Sequence, residues 1–449
     1  MITLDLILAT TITFILLVLS VYKGIFLAYP LTVGLVLFSI LSLKRGYSAK
    51  DTLIMIYNGG KKSFIVIKIF LLIGAVIAMW MTSGTVAAIV YYGVGLIKPN
   101  IFILCAFLIS CLVSSLIGTS VGTAGTVGIA LMVIAKGGGA NIAATAGAII
   151  AGAYFGDRCS PMSSSASLVA YLTGTNIYDN IRNMFKTCII PFGISIIFYY
   201  TISRVFPLHS SVSGINVELA KAFNINLIAL LPAVVIIVLS AFKVKVRVSI
   251  IISIITSFFL AVFMQHETVV NCVKFIIFGY SMDKTNTLYN VIKGGGLVLM
   301  LKTSLVILVA SAFAGIVEET KMLNSIETIT RKANYRYEIF RNMIITSIFT
   351  AAVGCSQVFA VILTHMLNKN AYEKNEIDNS SIAIDLENTA IMISALIPWN
   401  VALLVPITIL GTDSSCIPYL IYIYILPIWN LISLRSRNDK KSAVAGLNS

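Results

Sequence analysis

Charged side chains are scarce in this chain, 11% of 449 residues against 58% hydrophobic ones. That imbalance excludes a water-soluble fold, which must cover its core with polar surface, and assigns the chain to lipid. Histidines number three (His209, His266, His365) and show no ligand spacing, so no resident metal is expected. The seven cysteines lie scattered, mostly in apolar sequence and without CxxC spacing, which indicates neither disulfides nor a metal cluster. Lys136-Gly137-Gly138-Gly139 lacks the GxxxxGK[ST] pattern, and no such pattern occurs elsewhere, so nothing supports nucleotide-driven work or a cofactor. No soluble enzyme domain is visible.

What is present are apolar runs of roughly twenty residues, the length that crosses about 30 Å of hydrocarbon; roughly ten to twelve recur along the chain. The predicted class is an all-α integral membrane protein with discontinuous or re-entrant helices. The net charge of +14 arises from short basic runs between apolar segments, which fits orientation in a membrane and not a nucleic-acid face. Lys44, Arg45, Lys61 and Lys62 mark one cytoplasmic loop; Lys243, Lys245 and Arg247 a second; Arg331, Lys332, Arg336 and Arg341 a third. A basic tail at 435–449 places the C-terminus in the cytoplasm of a cell-membrane protein.

The chain also repeats itself. Gly46-Tyr47-Ser48 is matched by Gly279-Tyr280-Ser281, Gly59-Gly60 by Gly294-Gly295-Gly296, Ser83-Gly84-Thr85 by Glu318-Glu319-Thr320, and Gly118-Thr119-Ser120 by Gly354-Cys355-Ser356. The loop at 44–62 is basic and its counterpart at 265–293 is mixed in charge, so the two are expected on opposite sides. This predicts inverted-topology repeats and alternating access. The expected division is a first span at 1–23, a first repeat at 24–205, a connecting segment with one helix at 206–246, a second repeat at 247–434, and the tail.

Polar chemistry concentrates where apolar spans break. GTSVGTAGTVG at 118–128 combines Gly118, Gly122 and Gly125 with the hydroxyls of Thr119, Ser120 and Thr123. Backbone loses helical hydrogen bonds at membrane depth only where protein or a water-filled cavity takes them over, so such breaks point to a site for a polar passenger. Close helix packing is the competing account of the glycines. Further on, Gly156-Asp157 precedes Pro161 and the hydroxyls of Ser160, Ser163 and Ser164. Hydroxyls are hard ligands for sodium and a carboxylate supplies the charge; the alternative is that Asp157 caps a helix or pairs with Arg158 at the membrane surface.

In the second half, Asp385, Glu387, Asn388 and Thr389 precede Pro398, Trp399 and Asn400. Pro398 breaks the helical ladder, leaving the Asn400 amide as ligand or brace. Trp399 as an interfacial anchor and Asp385 as a solvated loop charge are equally open readings. Glu318 and Glu319 end an apolar span, where low dielectric would suit a proton relay, against the alternative of solvated acids at the edge.

At Trp80 with Ser83-Gly84-Thr85, the 118–128 stretch, TAGAIIAGAYFGDRCSP at 145–161, Gly174-Thr175-Asn176 with Asn180-Ile181-Arg182, Leu386-Glu387 and SALIPWN at 394–400, the chain resembles the NhaC-type sodium/proton antiporter family. That family belongs to a wider superfamily of secondary carriers. The resemblance implies exchange of sodium for protons, coupled in some members to organic acids. Two departures stand out. The family's SPLSDTTNLA is here Ser160-Pro161-Met162-Ser163-Ser164-Ser165-Ala166-Ser167-Leu168, and its LEDSGT has Asn388 at the Asp position. A sodium- or proton-coupled organic-acid or amino-acid carrier is therefore the second reading, and an ion channel a remote third. Expected partners are the sodium ion, the proton, a small organic or amino acid on the second reading, the lipid bilayer and, as an open option, a second copy in a homodimer.

Overall fold

A computed structural model describes residues 4–94, 98–208, 218–242, 244, 246–282, 293–320 and 330–447. His209, Lys243, Lys245 and Lys284 lie outside them. Helices dominate: α1 Leu4–Lys23, α2 Ala28–Lys44, α3 Ala49–Thr82, α4 Thr85–Val94, α5 Phe102–Ile117, α6 Ser120–Gly137, α7 Ile142–Cys159, α8 Ser164–Thr173 and α9 Ile177–Val205. After these come α10 Leu231–Ala241, α11 Val246–Phe263, α12 Val269–Phe278, α13 Leu297–Glu319, α14 Arg336–Gly354, α15 Gln357–Lys374, α16 (379–394), α17 Val401–Leu410 and α18 Ile421–Leu447. Among the described residues the β-structure is one two-residue antiparallel ladder pairing Tyr280 with Gly294 and Ser281 with Lys293. Among the described residues six helices are long and apolar enough to cross a membrane: α1, α3, α6, α9, α13, and the stretch Pro99–Ile117 that contains α5. Large apolar side chains such as Ile15 on α1, Ile197 on α9 and Phe259 on α11 are exposed, as a lipid-facing surface requires.

Helix α3 starts earlier than the basic run implies. Ser48 and Asp51 form a reciprocal cap: the Asp51 amide donates to Ser48 Oγ at 3.0 Å and the Ser48 amide to Asp51 Oδ2 at 3.1 Å. The cap commits residues 49 onward to helix, so Lys61 and Lys62 lie on α3 and not in a loop. Packing is then set by glycine. A Cβ on Gly59 would come within 2.4 Å of the Ser311 carbonyl, and one on Gly74 within 2.7 Å of the Gly296 carbonyl. Contacts that pair 59 with 311–315 and 74 with 296–300 make α3 and α13 an antiparallel crossing at backbone distance.

Backbone punctuation recurs down the chain. Gly118 (φ 74°) and Cys355 (φ 51°) are left-handed helix ends; Thr119 and Ser356 follow as extended N-caps. Asn141 and Asp378, then Ser163 and Asn400, are again extended N-caps, while Gly174 and Gly411 are left-handed C-caps at φ 65° and 63°. Each pair is 237 residues apart (118 and 355, 141 and 378, 163 and 400, 174 and 411). The left-handed turn stands at Cys355, one residue beyond the Gly354 that sequence matching pairs with Gly118. Two π-turns widen α6 at Ala124–Gly128 and α16 at Glu387–Ile391, a distortion that frequently marks functional sites.

Candidate ion-binding site

The break after Gly118 is stacked on the break after Cys159. A Cβ at Gly118 would lie 2.6 Å from the Met162 carbonyl carbon, so only glycine fits there, both for its φ and for the contact. Ser163 caps α8, accepting from the Ser165 and Ala166 amides at 3.1 Å each. The second half reproduces this stacking: the Val401 amide donates to the Cys355 carbonyl at 2.9 Å, and Asn400 caps α17 while its Nδ2 donates to the Ala351 carbonyl at 2.8 Å. Asn400 is thus a brace between two breaks, both of its amide atoms being spent on backbone.

Asp157 lies in the last turn of α7, 3% exposed. Its Oδ1 accepts from Ser163 Oγ at 3.2 Å and Ser165 Oγ at 3.1 Å, and its Oδ2 from Ser120 Oγ at 3.2 Å. The Gln357 amide faces the same carboxylate and donates to the Ile391 carbonyl at 3.3 Å. Ser120 and Gln357 are the first helical residues after the two equivalent breaks, so the helix that follows each break delivers one polar group to Asp157.

Arg158 does not pair with Asp157. Adjacent residues on a helix point about 100° apart, and the guanidinium turns to a different face of α7. It is fully buried and donates to Asn388 Oδ1 at 2.5 Å, Thr187 Oγ1 at 2.8 Å, and both the Met184 carbonyl and Tyr422 Oη at 3.2 Å. Glu387, also fully buried, has no hydrogen-bond partner on either carboxylate oxygen and faces both Arg158 and Asp157 electrostatically. Asp157, Arg158, Glu387 and Asn388 therefore form one buried cluster.

Several expected site residues are engaged elsewhere. Thr119 is a backbone cap; the Thr123 and Thr389 hydroxyls donate to the carbonyls of Thr119 at 2.9 Å and Asp385 at 2.6 Å, saturating their own helices. Ser160 Oγ accepts from the Met162 amide, and Ser164 is exposed; Ser165, one residue on, takes the contact with Asp157. Pro161 and Pro398 stand in the turns between helices. Gly122 lies within α6 beneath the Thr119 side chain, and Gly125 within the π-turn against Ile73.

Gly156 is not a helix break. It lies inside α7, where a Cβ would come 2.1 Å from the Ser114 carbonyl carbon on α5. Glu318 and Glu319 do not sit in low dielectric: both are exposed, Glu318 paired with Lys62 at 2.7 Å and Glu319 accepting from Asn58 at 3.1 Å. Asp385 is buried rather than solvated, bound by Arg336 at 2.6 Å and by the Tyr372 hydroxyl at 2.5 Å. Trp399 is not an interfacial anchor; it is buried and donates to the Ala352 carbonyl at 2.7 Å.

A cavity of about 390 Å³ runs from the Lys62–Glu318 ion pair past Ser63 and Phe359 to Ser356 and Val401. It reaches the second-half break, one residue short of Gln357.

The profile of the Na+/H+ antiporter family matches residues 152–434, from the middle of α7 to α18. The chain belongs to that family. The antiporter is 29% identical over 409 residues to the malate-2H(+)/Na(+)-lactate antiporter of Bacillus subtilis, covering 86% of each chain. It is 26% identical over 411 residues to the Na(+)/H(+) antiporter NhaC of Alkalihalophilus pseudofirmus, covering 90% of this chain and 88% of that one. It is also 27% identical over 343 residues to the arginine/ornithine antiporter ArcD of Halobacterium salinarum, covering 74% and 70%. Membership makes the chain a multi-pass membrane antiporter, a carrier of sodium and protons.

Proposed function

We propose that Asp157 is the carboxylate that sodium and a proton occupy in turn, and that alternating access carries it between the two sides of the membrane. The observation behind this is the donor set. Asp157 is buried with three serine hydroxyls and an amide, and with no cation in contact. Hydroxyls rotate, so the groups that donate to a bare carboxylate can turn their lone pairs to a sodium ion. A carboxylate locked to arginine could not be exchanged in this way; Arg158 faces elsewhere.

Alternating access rests on two inverted repeats, drawn at 24–205 and 247–434. The antiparallel crossing of α3 with α13, the helices matched by sequence, is what a two-fold axis in the membrane plane produces. The cavity beside Lys62 then opens toward the cytoplasm, the side of the basic segments and of the C-terminal tail. Ser356→Cys in a background lacking Cys105, whose six other cysteines are buried, should react with a membrane-impermeant thiol reagent from the Lys62 side. Labelling from the opposite side alone would remove the cytoplasmic-open assignment.

In proteoliposomes with an internal pH dye, sodium added to one side should move protons the other way without any other solute. A second reading is favoured by Asn388, which leaves the cluster one acid short of the family pattern, and by the cavity, large enough for a small organic acid. On that reading sodium alone leaves the pH signal flat, and malate, lactate or an amino acid restores it. A flat signal with every one of these solutes present would sink both readings.

A further inference from the structure

We propose that the seam between α14 and α15 is a proton route, a file of buried hydroxyl and amide groups completed by water, which leads protons to Asp157 apart from the cavity that admits sodium. The inference rests on the exchange reading above and adds a path to it. Gln357, Thr364, Asn368 and Tyr372 fall on one face of α15, because each step between them is close to a whole number of helical turns. The opposite face, with Val358, Phe359, Ile362 and Met366, lines the cavity. One helix therefore stands between two ways to the same break.

Along the first face polar contacts recur turn by turn. Thr350 Oγ1 donates to the Ala360 carbonyl at 3.4 Å and lies 2.8 Å from Thr364 Oγ1. The Asn368 amide donates to Thr346 Oγ1 at 2.8 Å and to the Thr364 carbonyl at 2.9 Å; the Tyr372 hydroxyl donates to Asp385, which Arg336 holds. Thr346, Thr350, Thr364, Asn368, Tyr372 and Asp385 are all buried, whereas the Arg336 side chain, 24% exposed, brings the outer end of the file to the surface.

Packing alone does not call for these groups. At the offset of 237 residues, the equivalent hairpin of α5 and α6 carries Ile109, Val113, Val127, Leu131 and Ala135 where this one has Thr346, Thr350, Thr364, Asn368 and Tyr372. Polar side chains at membrane depth are costly, and they mark ion and proton pathways. Asn368 Oδ1, within the seam, and Arg336 Nη1, at its outer end, are buried without a hydrogen-bond partner. Ordered water serves such atoms.

Each hydroxyl or water takes a proton on one side and releases its own on the other, so no atom is gained or lost along the file and the proton ends on the Asp157 carboxylate. Asn368 and Gln357 hold the water and pass no proton themselves. The junction is Gln357, which faces Asp157 from the other half of the chain. Movement of one half against the other parts the two, so the route closes when Asp157 turns away.

The test is sodium-driven proton movement by the full-length protein in proteoliposomes with an internal pH dye, run in light and heavy water. The double variant T364V/N368L copies the apolar hairpin at Val127 and Leu131. It should lower the rate at saturating sodium by about 100-fold, the low end of what a positioned proton-transfer group contributes, with a larger solvent isotope effect and no rise in the sodium needed for half the rate. Thr364→Ser keeps the hydroxyl and should keep the rate. Tyr372→Phe retains the ring beneath Arg336, removes only the hydroxyl, and should slow exchange in the same way even if the double variant does not fold. Wild-type rates in either of these slowed variants would overturn the inference, as would a slowed rate with an unchanged isotope effect and a raised sodium requirement. No sodium-driven proton movement in the wild type would instead strike the exchange reading itself, so the two failures are distinguishable.

Discussion

Asp157→Asn should lower sodium/proton exchange by more than about 100-fold while leaving the amount of folded protein unchanged. Asparagine has the same shape: its oxygen can accept from Ser163 and Ser165 while its NH2 donates to the Ser120 hydroxyl, which turns to accept, so the hydroxyl cluster has a partner in the variant. The charge is what disappears. Removing one partner of a buried ionic contact typically costs about 3–5 kcal/mol, which sets the scale of the loss. The surrounding serines provide a graded control. Ser165→Ala deletes one hydrogen bond to Asp157 and should weaken apparent sodium affinity by about 5-fold, the usual worth of about 1 kcal/mol, whereas the exposed Ser164→Ala should change nothing. Sodium titrations of the initial exchange rate separate the three, and robust exchange by Asp157→Asn would remove that residue from the mechanism.

The breaks were legible in the sequence because glycine and proline act on their own backbone. Gly118 combines a left-handed φ with a backbone contact that leaves no room for a Cβ, and Pro161 and Pro398 stand in the turns that end α7 and α16. Asp157 and Glu387 were legible for a related reason: an acid in sequence this apolar is conspicuous. Which hydroxyl reaches Asp157 was not legible. That choice depends on the rotation of α8 after its cap, and one step along a helix turns a side chain by about 100°, so Ser165 points inward and Ser164 outward.

Partners supplied by distant sequence were hidden for another reason. Gln357 reaches Asp157 from 200 residues away, and the residue-type match registered its segment one position early because Cys355, not a glycine, adopts the left-handed turn. For Asp385 the sequence leaves a solvated loop charge open as a reading, because Arg336 and Tyr372, which bind it in a buried position, come from segments distant from its own motif. The apolar run before Glu318 leaves open whether it sits in low dielectric or at a solvated edge; Lys62 holds it in an exposed ion pair at the cavity mouth. Helix ends are where an apolar run says least about solvent.

Gly156→Val should be the most damaging single substitution outside the charged cluster. The added Cβ would lie 2.1 Å from the Ser114 carbonyl carbon and 2.3 Å from the Ser115 nitrogen, both backbone atoms of α5. No rotamer relieves such a contact, so α5 and α7 must separate. The same pair is held by a hydrogen bond from Ser114 Oγ to the Ala153 carbonyl and by Gly152, whose Cβ would meet the Phe107 carbonyl at 2.5 Å. Helix α5 ends at the Gly118 break and α7 carries Asp157, so separating them also pulls Ser120 away from the carboxylate. Overpacking usually costs about 1–3 kcal/mol, and a clash with backbone belongs at or above the upper end of that range. Thermal unfolding in detergent, followed by size-exclusion chromatography, should show a large loss of folded Gly156→Val. Gly193→Ala is the matched control: it lies within α9 with nothing in reach of its Cβ, and helix propensity there favours alanine by up to about 1 kcal/mol. A Gly156→Val protein as stable as Gly193→Ala would mean that α5 and α7 do not pack at backbone distance, and the placement of Asp157 against Ser120 would fall with it.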